Sequence, residues 1–262
     1  MNSLRQTHFW KYLRNRSYRK QSNERNRLKH LGDNAGSSTL FGPDLVFDHA
    51  GTFLSLGEEI FHRKVYSFAS TTDTPRVIDC GANIGMASAY IKTRYPNAEI
   101  TAFEADPTLA TTAQENMQRN GFTLVNIIPS AAWIENGTIH FAATGGASGQ
   151  VAAEGRETIS IPAVRLRDYL TEPVTFLKID IEGSELAVME DSKDLLRNVN
   201  SLFVEYHSFI SKPQECSRIL EILEQAGMRY VIESNILRNQ PLINKADWGG
   251  IDMAANIFAT RD

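Results

Sequence analysis

The chain has 262 residues, of which 42% are hydrophobic, and a formal net charge of −4. This length and composition suffice for one sizeable core with appendages, and no run approaches the eighteen consecutive apolar residues of a membrane-spanning helix. The two cysteines, Cys80 and Cys216, have neither metal-binding nor redox spacing, and the N-terminus lacks the apolar run of a secretory signal, so we expect a cytoplasmic protein.

The first 43 residues differ in composition from the rest of the chain. Residues 1–30 contain nine Lys or Arg and one Glu, and residues 21–43 are polar and rich in Gly and Ser. We therefore expect residues 1–43 to form a basic tail and a polar linker, and residues 44–262 to form the folded domain. Such a tail is either a solvated segment or a contact for an anionic partner. Since no nucleic-acid-binding motif accompanies it, we infer no nucleic-acid binding.

From Val77 onward, short apolar segments alternate with segments of helical periodicity. The predicted strands are Val77–Cys80, Glu99–Glu104, Val125–Pro129, Phe176–Ile181, Ser201–Tyr206, Arg229–Glu233 and Asn256–Thr260. Near-continuous apolar runs are typical of strands buried on both faces. Their alternation with helices predicts an α/β fold with a doubly wound, mostly parallel, seven-stranded Rossmann-like sheet and helices on both faces. Between residues 139 and 164 the pattern changes to strand, Gly-rich loop (143–150) and strand.

The first of these strands ends in the sequence DCGANIG, Asp79 to Gly85, and leads into a helix. A dinucleotide-binding loop would need glycines where Asn83 and Met86 stand, and no Gly-Lys-Ser/Thr of a phosphate-binding loop follows. The remaining pattern suits an amino-acid-like ligand. Asp79 can engage its amino group and Asn83 its carboxylate, while Gly81 and Gly85 let the backbone come close.

The second strand ends at Glu104, 23 residues after Gly81. By analogy with other nucleotide-binding sheets, an acidic side chain at this place accepts both hydroxyls of a ribose. An amino-acid group and a ribose together describe S-adenosyl-L-methionine. The sequence therefore predicts this cofactor, and it disfavours an NAD-linked oxidoreductase.

The chain resembles the FkbM family of class I S-adenosylmethionine-dependent methyltransferases. The segments that carry the resemblance are EEIFHRKVYSF (58–68), VIDCGANIGMASAY (77–90), AFEADP (102–107), FLKIDIEGSE (176–185) and FVEYH (203–207). The resemblance covers about residues 45 to 260, and the cofactor contacts that it implies are Asp79, Gly81, Asn83, Gly85, Glu104 and, near the adenine, Ser130 and Ala131. Many relatives have Glu-Pro-Asp where this chain has Glu104-Ala105-Asp106, which leaves both carboxylates in place. The implied activity is O-methylation of a hydroxyl on a glycan, a polyketide or another secondary metabolite.

Ionisable side chains also gather where the fourth and fifth predicted strands end. Asp180 and Glu182 follow one strand, and Glu205 and His207 end the next, so all four should face the crevice at the edge of the sheet. Methyl transfer to a hydroxyl requires removal of its proton, and we expect His207 to be the general base, with the three carboxylates as its catalytic neighbours.

Two alternatives stay open at this point. Asp180, Glu205 and His207 also suit a divalent ion such as Mg, Mn or Zn, and the spacing alone does not decide whether a metal is bound. The protein could also be a non-catalytic module with a cofactor-binding fold, recruited through its basic tail. The presence of Glu104 and of the acids after the fourth strand favours the enzyme.

Overall fold

The structure is a computed structural model that describes residues 16–142, 150–151, 159–235, 240, 242–243 and 250–261. The first fifteen residues of the basic tail and most of the Gly-rich loop at 143–150 lie outside the described residues. Within the described ranges, none of the helices has the length and hydrophobicity that crossing a lipid bilayer requires.

From residue 76 onward, helices separate most strands of the central sheet, whereas the described residues between 125 and 165 form strands without a helix. The strands are β1 (Gly36–Ser38), β2 (Leu45–Phe47), β3 (Arg76–Cys80), β4 (Glu99–Phe103), β5 (Val125–Ile128), β6 (Ala131–Trp133), β7 (Gly137–Ala142), β8 (Gln150–Val151), β9 (Ile159–Arg165), β10 (Val174–Ile179), β11 (Val199–Phe209), β12 (Arg229–Ser234) and β13 (Ile251–Thr260). The α-helices are α1 (Arg16–Leu31), α2 (Ala50–Gly57), α3 (Met86–Arg94), α4 (Pro107–Arg119), α5 (Glu185–Ser192) and α6 (Cys216–Gln225). A π-helical segment, Glu58–Arg63, follows α2 directly.

The central sheet contains seven strands in the order β12-β13-β11-β10-β3-β4-β5. The pairs from β11 to β5 are parallel, whereas β13 runs antiparallel to both β11 and β12. The predicted α/β fold with a mostly parallel sheet is confirmed, and each predicted strand segment overlaps one of these seven strands.

Apolar side chains of the central strands alternate between two separate cores. Val77, Phe176 and Phe203 belong to one core cluster, together with residues of α3 and α4. Ile78, Leu177 and Leu202 belong to the other, together with residues of α5 and α6. Because successive side chains of a strand point to opposite faces, this division shows that helices cover both faces of the sheet.

A second sheet of four strands, in the order β6-β9-β7-β8, is inserted between β5 and β10. Strands β7 and β9 pair antiparallel from Gly137 opposite Ala163 to Phe141 opposite Ile159. They are the strands predicted on either side of the Gly-rich loop. Strand β6 begins at Ala131, three residues after β5 ends, so the insertion starts close to the edge where the central strands end.

Residues 16–43 differ from the expected tail and linker, because α1 and β1 pack on the unit that begins at residue 44. Leu28 of α1 is fully buried in the same core cluster as Phe47 of β2. The Ser38 hydroxyl donates a 2.6 Å hydrogen bond to Glu24 Oε1, and Arg25 forms an ion pair with Glu58. The sequence of α1 is so polar that its single fully buried leucine gave no visible periodicity. Part of the basic charge of this segment is thus paired within the chain.

This packing predicts that Leu28→Ala lowers the free energy of unfolding by about 2–5 kcal/mol, because it removes a buried side chain and leaves a cavity. Urea unfolding followed by circular dichroism measures the change. Lys29→Ala, at the next and exposed position of α1, is the matched control and should change stability by less than about 0.5 kcal/mol. Equal stability of the two variants would show that α1 is a dispensable tail.

Candidate active site

The candidate site lies at the edge of the central sheet where β3, β4, β10 and β11 end. Ile179, the last residue of β10, pairs with Cys80 of β3 on one side and with Val204 of β11 on the other. The segments that follow these strands are therefore neighbours, and the Asp180 N–H donates a 3.1 Å hydrogen bond to the Cys80 carbonyl oxygen. The predicted glycine loop and the predicted acidic residues share this edge.

Gly81 opens the glycine loop in a left-handed conformation, with φ at +89°. A Cβ atom at this position would lie 1.8 Å from the carbonyl oxygen of Asp180. The sequence assigned this glycine to the close approach of a ligand. The structure gives a second reason for a glycine at this position, because the loop backbone lies directly against the backbone that follows β10.

Asn83 and Gly85 complete the loop, and both have positive φ angles, 51° and 81°. The Asn83 side-chain oxygen accepts a 2.8 Å hydrogen bond from the Ile84 N–H, while its amide Nδ2 makes no hydrogen bond within the described residues. Asparagine tolerates this conformation better than most residues, because its short polar side chain can bond locally. Gly85 lies directly before the first residue of α3.

Glu104 follows β4 and joins the loop to the next helix. Its Oε2 atom accepts a 2.7 Å hydrogen bond from the Asn83 N–H, and its Oε1 atom accepts a 2.9 Å hydrogen bond from the Asp106 N–H. Burial raises the pKa of Glu104, although these two bonds oppose that effect. Asp106 in turn caps α4 by accepting hydrogen bonds from the Thr108 and Leu109 N–H groups.

Asp79 is fully buried beneath the loop, where Lys178 of β10 pairs with it. The Lys178 ammonium lies 3.3 Å from Asp79 Oδ1 and 3.3 Å from Asp180 Oδ2, and it donates a 2.7 Å hydrogen bond to the Gly81 carbonyl oxygen. Burial lowers the pKa of Lys178, but the charges of Asp180 and Asp79 outweigh burial and raise that pKa. Ser88 donates a 3.1 Å hydrogen bond to the second oxygen of Asp79. As the structure stands, Asp79 supports the loop from below rather than facing the crevice.

Ser130 and Ala131 lie where β5 ends and β6 begins, beside the strand end that carries Glu104. Ser130 is buried and its N–H donates a 2.8 Å hydrogen bond to the Ile128 carbonyl oxygen, while Ala131 is half-buried. Their position agrees with the sequence expectation, but no contact in the structure assigns them a ligand.

His207 lies near the end of β11, at the centre of a cluster formed by Glu205 of the same strand and by the acidic residues that follow β10. Its Nδ1 atom lies 3.2 Å from Glu185 Oε1. Its Nε2 atom lies 3.7 Å from Glu182 Oε2 and 3.7 Å from Glu205 Oε1. The structure thus brings Glu182, Glu205 and His207 together, and Asp180, the fourth predicted catalytic residue, lies beside them.

Glu185 is the main member of this cluster that the predicted catalytic set lacked. It is buried at the start of α5, where its Oε1 atom also accepts hydrogen bonds of 2.9 Å and 3.2 Å from the Gly183 and Ile181 N–H groups. Glu185 therefore holds the turn after β10 and orients His207 at the same time. The sequence signal that could have identified Glu185 is its position as the first residue of the helix that follows Gly183 and Ser184. Glu182 lies in this turn with φ at 57°, a conformation that is costly outside glycine and frequent at functional sites.

The charges of the cluster shift the pKa values of its members. Burial lowers the pKa of His207, but its hydrogen bond to Glu185 and the charges of Glu185, Glu182 and Asp180 raise it to about 10. Burial raises the pKa of Glu182 to about 7, against the opposing charge of His207. Burial and the charge of Asp180 raise the pKa of Glu205 to about 7. At neutral pH His207 is thus already protonated, which differs from the state that a general base needs.

A polar chain ties Glu205 to the far strands of the sheet. The Asn235 side-chain amide donates hydrogen bonds to Glu205 Oε1 at 2.9 Å and to the Asn256 side-chain oxygen at 2.7 Å. Asn256, which is fully buried on β13, donates a 3.3 Å hydrogen bond to Glu59 of the π-helical segment. Sequence patterns did not predict this hydrogen-bond network, because its four residues lie in separate segments of the sequence.

The family model described as the methyltransferase FkbM domain matches residues 79–230, which is more than half of the chain. The protein belongs to the FkbM methyltransferase family. Two curated relatives illustrate the similarity. Methyltransferase sdnD from Sordaria araneosa is 29% identical over 184 residues, which cover 54% of this chain and 71% of that protein. The 2-O-methyltransferase NoeI from Sinorhizobium fredii is 24% identical over 168 residues, which cover 55% of this chain and 68% of that protein.

A solved structure of a methyltransferase shares the fold of this FkbM-family chain, and a second matches the chain with a lower TM-score. The SAM-dependent methyltransferase from Agrobacterium tumefaciens matches with a TM-score of 0.51 and 15% identity, covering 88% of this chain and 71% of that one. Methyltransferase FkbM from Methylobacillus flagellatus KT matches with a TM-score of 0.47 and 16% identity, covering 79% of this chain and 52% of that one. This chain therefore spans about half the length of the latter protein. The predicted cofactor, S-adenosylmethionine, agrees with the family and the fold.

The residues at the sheet edge of this FkbM-family protein fit that cofactor. Asn83 offers an uncommitted amide donor, and Glu104 offers a carboxylate at the end of the second strand of the parallel set. A pocket of about 200 Å³ opens beside the loop, lined by Asn83 and Asp106 on its polar side and by Phe47 and Phe53 among its apolar residues. An amide donor, carboxylates and aromatic rings match the chemistry of an amino-acid group linked to a nucleoside.

The loop geometry predicts that Gly81→Ala destabilises this FkbM-family protein more than a glycine substitution at an open turn does. The added Cβ meets backbone that cannot rotate away, so we expect a loss of more than about 2 kcal/mol in denaturant unfolding. Gly121→Ala is the matched control, because Gly121 also has a positive φ, +62°, but no atom of the described residues lies within 4 Å of its Cβ position. That control should cost about 1–2 kcal/mol. Equal losses at both positions would contradict the close contact between the loop and Asp180.

Proposed function

We propose that this protein is an S-adenosylmethionine-dependent O-methyltransferase that acts on a hydroxyl of a glycan, a polyketide or another secondary metabolite. The observation that carries the proposal is the position of Lys178. Its ammonium contacts the Gly81 carbonyl oxygen at 2.7 Å and the Asp180 carboxylate at 3.3 Å. One buried side chain thus joins the cofactor loop to the acidic cluster, so that a methyl donor at the loop and an acceptor at the cluster would be neighbours.

The loop side of the site is assigned to the cofactor, which supplies an electrophilic methyl group on a sulfonium. The Asn83 amide would donate to its carboxylate. Each oxygen of Glu104 keeps a lone pair beside its backbone hydrogen bond and would accept from a ribose hydroxyl. Gly81 and Gly85 shape the loop, and Ser130 and Ala131 would line the adenine. Asp79 acts indirectly, since it holds Lys178 in place.

The cluster side of the site is assigned to the acceptor, whose hydroxyl loses its proton as the oxygen attacks the methyl carbon. The sequence suggested His207 as the proton acceptor, but the surrounding carboxylates keep a proton on that imidazole. We assign the proton to Glu205 instead. Its side chain is 20% exposed, and its carboxylate lies 3.7 Å from His207 Nε2 and accepts a hydrogen bond from the Asn235 amide. Asp180, Glu182 and His207 would bind and orient the acceptor.

The relatives support oxygen as the methyl acceptor, because NoeI carries the description 2-O-methyltransferase. A non-catalytic module is less well supported. Such a module would not need the carboxylates of Glu182 and Glu205 beside His207, because burying most of each side chain there costs free energy.

The cofactor assignment predicts that S-adenosylmethionine and its demethylated product bind to the folded protein, whereas NAD does not. Glu104→Gln should weaken cofactor binding by about 1–3 kcal/mol, because a charge-assisted hydrogen-bond pair is lost. Isothermal titration calorimetry measures both effects. Glu99→Gln, at the exposed opposite end of β4, is the matched control and should leave the affinity unchanged. Binding of NAD, or no binding of S-adenosylmethionine, would overturn the assignment.

The acceptor assignment predicts that labelled methyl groups from the cofactor appear on oxygen atoms of hydroxylated metabolites in an extract. Mass spectrometry of the labelled product identifies the acceptor. With that acceptor, Glu205→Gln should lower turnover by about 10²–10⁴-fold, because a positioned proton acceptor is lost, while cofactor affinity should stay the same. Glu215→Gln, an exposed position before α6, is the control. Label on nitrogen or carbon would contradict O-methylation, and full turnover of Glu205→Gln would contradict the role of Glu205.

A further inference from the structure

Asp180, Glu182 and His207 form a compact set of side chains at the carboxyl ends of two neighbouring strands. Each of them offers one metal-ligand atom, and these atoms all lie within 4.8 Å of one another. Ligands about 2.1 Å from one ion lie within about 4.2 Å of one another, so small side-chain rotations would close the set around a cation. The metal site considered from the sequence contained Asp180, Glu205 and His207. The compact set in the structure contains Glu182 instead of Glu205.

The imidazole of His207 is already arranged as that of a metal-bound histidine. The side chain is only 7% exposed, and its Nδ1 atom faces the buried Glu185 carboxylate at 3.2 Å. The Nε2 atom has no hydrogen-bond partner within the described residues and points into the cluster, 3.7 Å from Glu182 and from Glu205. Metal-bound histidines characteristically donate their other ring N–H to a carboxylate, which fixes the tautomer and aims the free nitrogen at the ion.

The charge balance of the cluster also favours a cation. Four carboxylates, those of Asp180, Glu182, Glu185 and Glu205, surround His207 on elements packed around it. Glu185 is satisfied by two backbone N–H groups, whereas Glu182 accepts no hydrogen bond within the described residues. Lys178 contributes one positive charge, which it shares between Asp180 and the buried Asp79. Negative charge therefore remains in excess at the part of the cluster that faces the crevice.

We propose that Asp180, Glu182 and His207 Nε2 bind one divalent cation. Two carboxylates and one imidazole suit Mn²⁺, Mg²⁺ or Zn²⁺, with Mn²⁺ accepting this mixture of oxygen and nitrogen well. The ion supplies the positive charge that the carboxylates face. Three protein ligands leave coordination positions open toward the crevice.

The task of this ion rests on the proposed function. An acceptor hydroxyl at an open position would become more acidic, as oxygens bound to divalent ions do. Its proton then passes to Glu205, the new bond forms between the oxygen and the methyl carbon, and the bond between that carbon and the cofactor sulfur breaks. The ion thereby fixes the acceptor at the end of β11, next to the loop that would hold the methyl donor.

The test is a titration of the full-length chain with MnCl2 after treatment with EDTA and dialysis. Calorimetry, together with the electron paramagnetic resonance signal of free Mn²⁺, should show one bound ion per chain. Glu182→Gln and His207→Ala should abolish this binding, and Glu185→Gln should weaken it by about 10–100-fold, because it loses the partner that orients His207. The control Glu215→Gln should bind as the unmodified chain does. Retained cofactor binding checks that each variant is folded.

Absence of Mn²⁺ binding to the unmodified chain would overturn the metal site, and so would unchanged binding in both Glu182→Gln and His207→Ala. Full methyl transfer in EDTA without Mn²⁺ binding would overturn the metal site and leave the O-methyltransferase standing. Stoichiometric Mn²⁺ binding that both ligand variants abolish, in a chain that transfers no methyl group to any hydroxyl, would support the metal site and overturn the proposed function.

Discussion

The buried ammonium group of Lys178 is the interaction on which the rest of the site depends. It lies between the carboxylates of Asp79 and Asp180, 3.3 Å from each, and donates to the Gly81 carbonyl oxygen at 2.7 Å. A buried charge without a partner costs several kcal/mol, so these groups hold one another in the interior only as a set. The glycine loop and the acidic cluster consequently have a common anchor, and neither can shift without disturbing the other.

The second constraint is the concentration of carboxylates at one edge of the sheet. The carboxyl ends of parallel strands lie at one edge, and this chain places acidic residues after β10 and near the end of β11, so their negative charges add in a partly enclosed crevice. The structure offsets part of this charge with backbone N–H groups at Glu185 and part with His207. The remaining negative charge attracts cations, and both a sulfonium cofactor and a divalent ion carry positive charge. One electrostatic environment would thus serve both halves of the proposed reaction.

Local signals predicted the strands, the glycine loop and the strand-end positions, because apolar runs and turn residues act over a few neighbouring positions. The rule that ligands bind at the carboxyl ends of parallel strands grouped the four predicted catalytic residues, which are Asp180, Glu182, Glu205 and His207. Three features needed the structure, since each depends on a partner distant in sequence. Glu185 reaches His207 only through the turn after β10, Gly81 is required by the backbone of Asp180, and α1 is held in the core mainly by Leu28.

The contact between Lys178 and the Gly81 carbonyl joins positions 97 residues apart, across the parallel pairing of β10 with β3. Parallel pairings of this separation form late, because the long loop between the strands must close before the contacts repay its entropy. A nascent chain that carries only β3, β4 and β5 has the glycine loop but lacks its lysine and every acid of the cluster. The order of synthesis thus separates the two halves of the site, and the loop can meet its lysine only after β10 has been made.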